Sequence, residues 1–347
     1  MRLLALVLAA LVVALAGCGR ERTEVREPDV IVEGGNRAPT AEPETRSPGD
    51  GGLRIAEARI VVVTHGQASD PFWSIVRKGI FDAARQTGVA VSYRAPDTYD
   101  VRRMATLIDD AVSDRPDALV VSLPDADALE PAVRRARLAG IPVVSINSGS
   151  EEFRRLGILA HVGQPERRAG YEGGVRMAEA GVRNAVCVNQ EVGNAGLDLR
   201  CRSFAAGLAA SGGRSRTVSV RLQDPTNAQR TIAQAINQGN TDGVMALGPG
   251  GAAPALAALR AARPDHPVKV ATFDLSPDVL QAVEEGRMLF AIDQQPYLQG
   301  YLPIVLLAEQ ARHELLPARG ELIPTGPHFI TRANAGEAMR LSRAGVR

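Results

Sequence analysis

Aromatic residues are scarce in this chain: one Trp, five Tyr and seven Phe among 347 residues, so the place of each carries information. An excess of charge of one sign is missing too. Forty Lys and Arg stand against 39 Asp and Glu, and no basic run is dense enough to form a nucleic-acid face. Cysteine is limited to Cys18, Cys187 and Cys201, with no histidine cluster near the last two, which falls short of a zinc ligand set. No Gly-x-Ser-x-Gly elbow, no Gly-rich phosphate loop with Lys and no His-Glu-x-x-His pair occurs, so nothing points to a hydrolase, a phosphoryl-transfer enzyme or a metalloprotease. The expectation is therefore a protein without catalytic residues, cofactor or metal.

No apolar run reaches the roughly 20 residues that a spanning helix needs. The one that exists, Leu3 to Ala16 after Met1-Arg2, has the layout of a secretory signal: a positive start, a short greasy stretch, then small residues. Leu15-Ala16-Gly17-Cys18 resembles the bacterial lipobox, which implies removal of residues 1–17 and acylation of Cys18. From there to residue 52 the composition turns to Arg, Glu, Pro, Gly, Thr and Ser, too polar to repay ordering entropy. Residues 18–52 read as a lipid-anchored tether, able to reach on the order of 100 Å at about 3.1 Å per residue. Export also bears on Cys187 and Cys201: outside the cytoplasm they are a disulfide candidate, and otherwise two buried thiols.

Beyond the tether, short β-branched runs alternate with amphipathic stretches, the signature of parallel α/β layers. Strands are expected at Arg59–Thr64, Val89–Arg94, Ala118–Ser122, Val143–Ile146 and Ile158–Val162. A second set is expected at Ala185–Asn189, Arg216–Val220, Gly243–Leu247, Lys269–Phe273 and Phe290–Asp293. Helices fill the gaps, for instance Phe72–Gln86 with Gly88 as a stop, and Leu129–Leu138 before Gly140. Two successive series of similar length imply two similar lobes. Open α/β sheets bind ligands at the carboxyl ends of their strands, which selects His65, Asp70, Asp125, Asn147, Gln164, Asn189, Asp274 and Gln294. Asp125 and Asp127 are set aside as helix caps, and His161, inside a strand, as a core or hinge histidine.

Four blocks, in order, resemble the type I periplasmic binding proteins for sugars, the ribose- and galactose-binding group. They are Asp70-Pro71-Phe72-Trp73, Ala139-Gly140-Ile141-Pro142-Val143-Val144, Ala271-Thr272-Phe273-Asp274 and Ala291-Ile292-Asp293-Gln294-Gln295-Pro296. The resemblance implies an α/β fold of two Rossmann-like lobes with parallel sheets, joined by a three-crossover hinge around a ligand cleft. It assigns 59–162 plus 293–318 to an N-terminal lobe and 163–292 plus 319–347 to a C-terminal lobe. It implies that Asp70 is a polar ligand contact, that Phe72 and Trp73 sandwich a sugar ring, and that Asn147, Arg200, Asp274 and Gln294 bond hydroxyls. His65 and Gln164 are second-rank candidates.

The pattern also departs from ribose binders. Thr64 to Ser69 makes a longer first loop, Asn147-Ser148 replaces an Asp-Arg pair, and Gly248-Pro249-Gly250-Gly251 stands where an Asn is usual. The implied partners are a small sugar or polyol, the membrane permease of an ABC importer, and the membrane itself through acylated Cys18, with the chain a monomer outside the cytoplasm. An alternative with the same cleft is a receptor subunit that presents a sugar-like signal to a membrane sensor. A lactose-repressor-type regulator would need a helix-turn-helix headpiece where this chain has a signal and tether.

Overall fold

The computed structural model describes residues 58–347 apart from 67–69, 263 and 318. The expected signal at 1–17, Cys18 and the tether to residue 52 lie outside the described residues, as does the second half of the Thr64–Ser69 loop.

Local chemistry sets the elements. After β1 (Arg59–Val63), a β-branched run, Asp70 accepts a hydrogen bond from the Phe72 N–H at 2.8 Å and starts α1 (Pro71–Thr87). Pro71 occupies the first turn, where its missing N–H is no loss. The helix ends at Gly88, whose φ of 72° lets its N–H reach Ala84 O at 2.8 Å. The series continues through β2 (Ala90–Arg94), α2 (Val101–Ser113), β3 (Ala118–Ser122), α3 (Ala126–Leu138), β4 (Val143–Ile146) and β5 (His161–Gly163). Asp125 caps α3 through the Ala128 N–H at 3.0 Å, as expected of it.

A second series repeats the first: α4 (Glu166–Glu179), β6 (Asn184–Asn189), α5 (Ala195–Ala209), β7 (Arg214–Ser219), α6 (Pro225–Asn237), β8 (Gly243–Ala246), α7 (Pro249–Ala262), β9 (Lys269–Phe273), α8 (Pro277–Glu284) and β10 (Ala291–Asp293). The chain closes with α9 (Pro296–His313), β11 (Leu322–Pro324), β12 (His328–Ile330) and α10 (Ala335–Arg343).

Among the described residues the strands form two six-stranded sheets of the same order, β2-β1-β3-β4-β5-β11 and β7-β6-β8-β9-β10-β12. All neighbours are parallel except β10 and β12. Each sheet is buried on both faces, and strand alternation divides its side chains between two cores. In the first sheet Ile60, Val62, Val120 and Val144 face α1 and α9, while Val61, Val63, Leu119 and Val121 face α2 and α3. In the second, Val186, Val188 and Val244 lie on one side and Cys187, Met245 and Phe273 on the other. Full burial of each such valine contributes roughly 1.5–3 kcal/mol.

In each lobe one closely packed pair of helices needs glycine at the contact. A Cβ at Gly79 of α1 would stand 2.1 Å from Tyr297 O of α9, and one at Gly300 would stand 2.0 Å from Val76 O. Gly174 and Gly207 do the same between α4 and α5. Cys187 of β6 and Cys201, midway along α5, are joined with Cα atoms 5.7 Å apart.

The chain passes between sheets after β5, after β10 and between β11 and β12. This last passage corrects one expected boundary. Leu322–Pro324 pairs with His161–Gly163 in the first sheet, so the third crossover falls at 325–327 and not at 319. No strand was expected at β11 or β12, because three-residue pairings beside Pro324 and Pro327 carry no period to read.

Candidate functional site

The carboxyl ends of both sheets open onto one cleft with about 500 Å³ of empty space, part of it solvent. From the first lobe it is lined by His65 past β1, by Asp70, Phe72 and Trp73 at the entry of α1, and by Asn147 past β4. From the second come Gln190 and Glu191 past β6, Asn194 capping α5, Leu197 and Arg200 in the first half of that helix, Gly248 to Gly250 past β8, and Asp274 past β9. Gln294, on the crossover after β10, closes the floor.

Arg200 is buried, 3% exposed, and stacks its guanidinium 4.7 Å from the centre of the Phe273 ring. It is gripped by Glu166 at the first position of α4: Nη2 donates to Oε1 at 2.7 Å and Nε to Oε2. Gln164 Nε2 donates to the same Oε2 at 3.0 Å. Such a fork-to-fork pair fixes both planes, leaving Nη2 3.4 Å from Gln294 Oε1 and Nη1 3.4 Å from Leu247 O.

Gln294 joins the lobes electrostatically. Its Nε2 donates to Asp274 Oδ1 at 2.6 Å, and its Oε1 accepts from Asn147 Nδ2 at 3.3 Å and Gln299 Nε2 at 2.9 Å. Burial pushes the Asp274 carboxyl up to about 7, against the pull of Arg200 and the Gln294 bond. Burial also raises Glu191 to about 7, although Asn194 Nδ2 donates to its Oε2 at 2.7 Å. Asp70 is raised by burial, with the Phe72 N–H opposing.

His65 is neutral. Burial and then the charge of Arg200 depress its pKa to about 3. Its Nδ1 lies 2.7 Å from Ser122 Oγ, and its Nε2 lies 3.3 Å from Asn194 Nδ2, an amide donor. That pattern assigns the proton to Nδ1 and the lone pair to Nε2. Asn194 crosses the cleft: it also accepts from Ser148 Oγ at 3.1 Å and caps α5 through the Gly196 N–H at 3.0 Å.

The structure thus brings His65, Asp70, Phe72, Trp73, Asn147, Arg200, Asp274 and Gln294 together on one cleft. Gln164 is not among them; it turns inward to hold Glu166, since the crossover backbone points its side chain at α4. The expected sandwich of Phe72 and Trp73 is also corrected. Their rings meet edge to face, centroids 5.1 Å apart, so no sugar ring fits between them. Trp73 sits instead against the edge of His65, 5.0 Å between centroids. Asn189 bonds Asp198 beside the cleft rather than lining it.

Sequence reasoning missed Glu166, Gln190, Glu191 and Asn194. Asn194 carried a readable signal as a helix-capping residue, and Glu191 follows β6 as His65 follows β1. Glu166 carried none, because only the fold sets it against Arg200. Among the described residues no group of three or more His, Cys, Asp or Glu could hold a metal ion.

Residues 60–315 match the family model of the periplasmic binding protein domain. A carbohydrate transporter protein from Acidothermus cellulolyticus 11B, solved in complex with myo-inositol, is 34% identical, covering 84% of this chain and 100% of that one with a TM-score of 0.79. The xylose/arabinose-binding protein of Sulfolobus acidocaldarius is 24% identical over 82% of this chain and 74% of its own length. The ribose import binding protein of Bacillus subtilis is 24% identical over 67% of this chain and 75% of its own.

Proposed function

The chain belongs to the periplasmic binding protein domain family, and from that premise we propose that it captures a small sugar or polyol outside the cytoplasm and hands it to an ABC importer. The observation that carries this reading is the cleft itself. Donors and acceptors from the strand ends of both sheets converge on one space, with Trp73 beside them. A polyol offers hydroxyls at its edge and C–H faces to an aromatic ring. Carboxylates accept from the hydroxyls, Arg200 donates, and Asn147 and Gln294 do both. A buried polar group left unpaired by the wrong hydroxyl pattern costs about 1–3 kcal/mol, which gives selectivity. The ligands named for the relatives, myo-inositol, xylose or arabinose, and ribose, share this chemistry.

In this reading the three crossovers are a hinge and the ligand holds the lobes closed. Cys18 bears the lipid anchor, Cys187 and Cys201 stay oxidised in the exterior compartment, and the protein acts as a monomer. The chain binds its ligand without transforming it. A thermal melt in the presence of pentoses, hexoses and cyclitols tests the reading. A bound polyol at a hundredfold its Kd adds about 2.7 kcal/mol of stability. No shift with any polyol, together with a shift from an amino acid or a nucleoside, would remove the sugar assignment.

A further inference from the structure

Charge in the cleft does not balance. Asp70, Glu191 and Asp274 bring three carboxyl groups to it, and among the described residues one guanidinium, Arg200, faces them. The charge of Arg200 is already answered by Glu166, buried with it and bonded at both nitrogens. His65, the other base in the wall, is neutral. Among the described residues no lysine lines the space.

The oxygens themselves point to a missing donor. Asp274 is only 8% exposed, and while its Oδ1 takes the Gln294 amide, its Oδ2 borders the cleft without a hydrogen-bond partner among the described residues. Asp70 uses Oδ1 on the Phe72 N–H, and Glu191 uses Oε2 on Asn194, each with the second oxygen unmet by a donor among the described residues. Asp70 lies close enough to raise the carboxyls of both Glu191 and Asp274 by its charge. A neutral polyol supplies hydroxyl donors but no positive charge, so in a closing, desolvated space the carboxyls must either take up protons or stay uncompensated, and both are costly. A metal ion does not fit either, since these carboxyls are not grouped as ligands.

We propose that the preferred ligand is a polyol carrying an amine, an amino sugar or aminocyclitol in its ammonium form, with the ammonium beside Asp70 between Glu191 and Asp274. Asn147, Gln294 and Arg200 then take the hydroxyl side. The inference rests on the polyol-binding reading and narrows it. The ammonium supplies three donors and one positive charge, matching three open carboxylate oxygens. Arg200 stays with Glu166 and does not compete for them.

The test is calorimetric titration of the mature protein with matched pairs at pH 7.5: scyllo-inositol against 1-amino-1-deoxy-scyllo-inositol, D-galactose against D-galactosamine, and D-glucose against D-glucosamine. In at least one pair the amine binds tenfold or more tighter than its neutral counterpart. Asp70→Asn keeps the helix-capping oxygen, so it folds, and it brings that ratio close to one by weakening the amine more than the neutral compound. Asp274→Asn does the same by a second route. Equal or tighter binding of the neutral member in every pair overturns the amine inference and leaves the polyol reading standing. An amine preference that survives both variants also overturns it. Failure of every compound to bind counts against the polyol reading itself and takes the inference with it.

Discussion

Asn147 and Asp274 occupy the same position in the two lobes. Each follows the fourth-formed strand of its sheet, β4 or β9, and each holds φ at 61°. Each donates its backbone N–H to the neighbouring strand, Asn147 to Val162 O at 3.2 Å and Asp274 to Ile292 O at 2.8 Å. Asn and Asp are the non-glycine residues that best tolerate this left-handed conformation. The turn aims both side chains at the cleft from opposite lobes, so one repeated backbone device delivers an amide on one side and a carboxyl on the other.

The carboxyl of that pair gives a pH signature. Its folded-state pKa is raised to about 7 from 3.8, so the folded protein holds the proton more tightly than the unfolded chain. The associated stability is complete below about 4 and lost as pH rises through 7. Without ligand, Asp274→Asn should therefore gain on the wild type between pH 5 and pH 8 in urea melts, and Glu191→Gln should behave alike. The acid limb has the opposite sign. His65 and His161 are depressed to about 3, so their contribution is present above about 6.5 and lost toward 3. Parallel curves for wild type and Asp274→Asn across pH 5–8 would contradict the assignment.

Trp73 is the single tryptophan, 3% exposed and on the cleft wall against His65. Ligand binding should change its emission in a saturable titration whose midpoint matches the melt-derived Kd. A constant spectrum at ligand concentrations that do raise the melting temperature would take Trp73 off the contact surface.

Glu166→Gln leaves the Arg200 charge buried without its counter-ion, at 2% and 3% exposure for the two side chains. The expected loss is about 3–5 kcal/mol of stability. A double change to Leu at 166 and Met at 200 removes both charges and should recover most of that loss, since a packed apolar pair is often as stable. Ligand affinity should stay low in the double variant. Recovery of affinity along with stability would show that the pair serves the fold and not the site.

How much of this was legible in the sequence depends on range. The β-branched runs and capping residues are local, and they placed most strands and helices within a few residues. Asp70 was readable twice over, as a cap and as a cleft residue. The strand-end rule found His65, Asn147, Asp274 and Gln294 because the turn after each strand is short and its direction fixed. Gln164 obeyed the same rule and failed it, because Glu166 two residues later captures its amide. Glu191 satisfied the rule as His65 did and was passed over, while Asn194, five residues past β6, lay beyond it. Phe72 and Trp73 line the cleft, but adjacent helix positions cannot hold parallel facing rings.

Cys18, outside the described residues, is the proposed site of the lipid anchor, a role in location and not in folding. Cys18→Ser should shift the protein from the membrane fraction to the soluble fraction of the cell exterior, with the ligand-induced melt shift unchanged. Continued tight sedimentation with membranes would remove the lipid anchor.

Asn194 gives the most direct test of closure. Its side chain, carried on the second lobe, contacts His65 Nε2 at 3.3 Å and Ser148 Oγ at 3.1 Å on the first, while capping α5 at Gly196. Cap and bridge are separable. Serine is an equally good cap but too short to span to His65, so Asn194→Ser should keep stability within about 1 kcal/mol. It should nonetheless weaken ligand binding several-fold, because the closed arrangement loses its bonds across the cleft. Asn194→Ala loses cap and bridge together, and both stability and affinity should fall. X-ray scattering of the unliganded variants supplies the independent readout: a larger radius of gyration than wild type for Ser as well as Ala, converging when ligand is added. An unliganded Ser variant as compact as wild type, with unchanged affinity, would show that the contacts across the cleft follow closure and do not hold it.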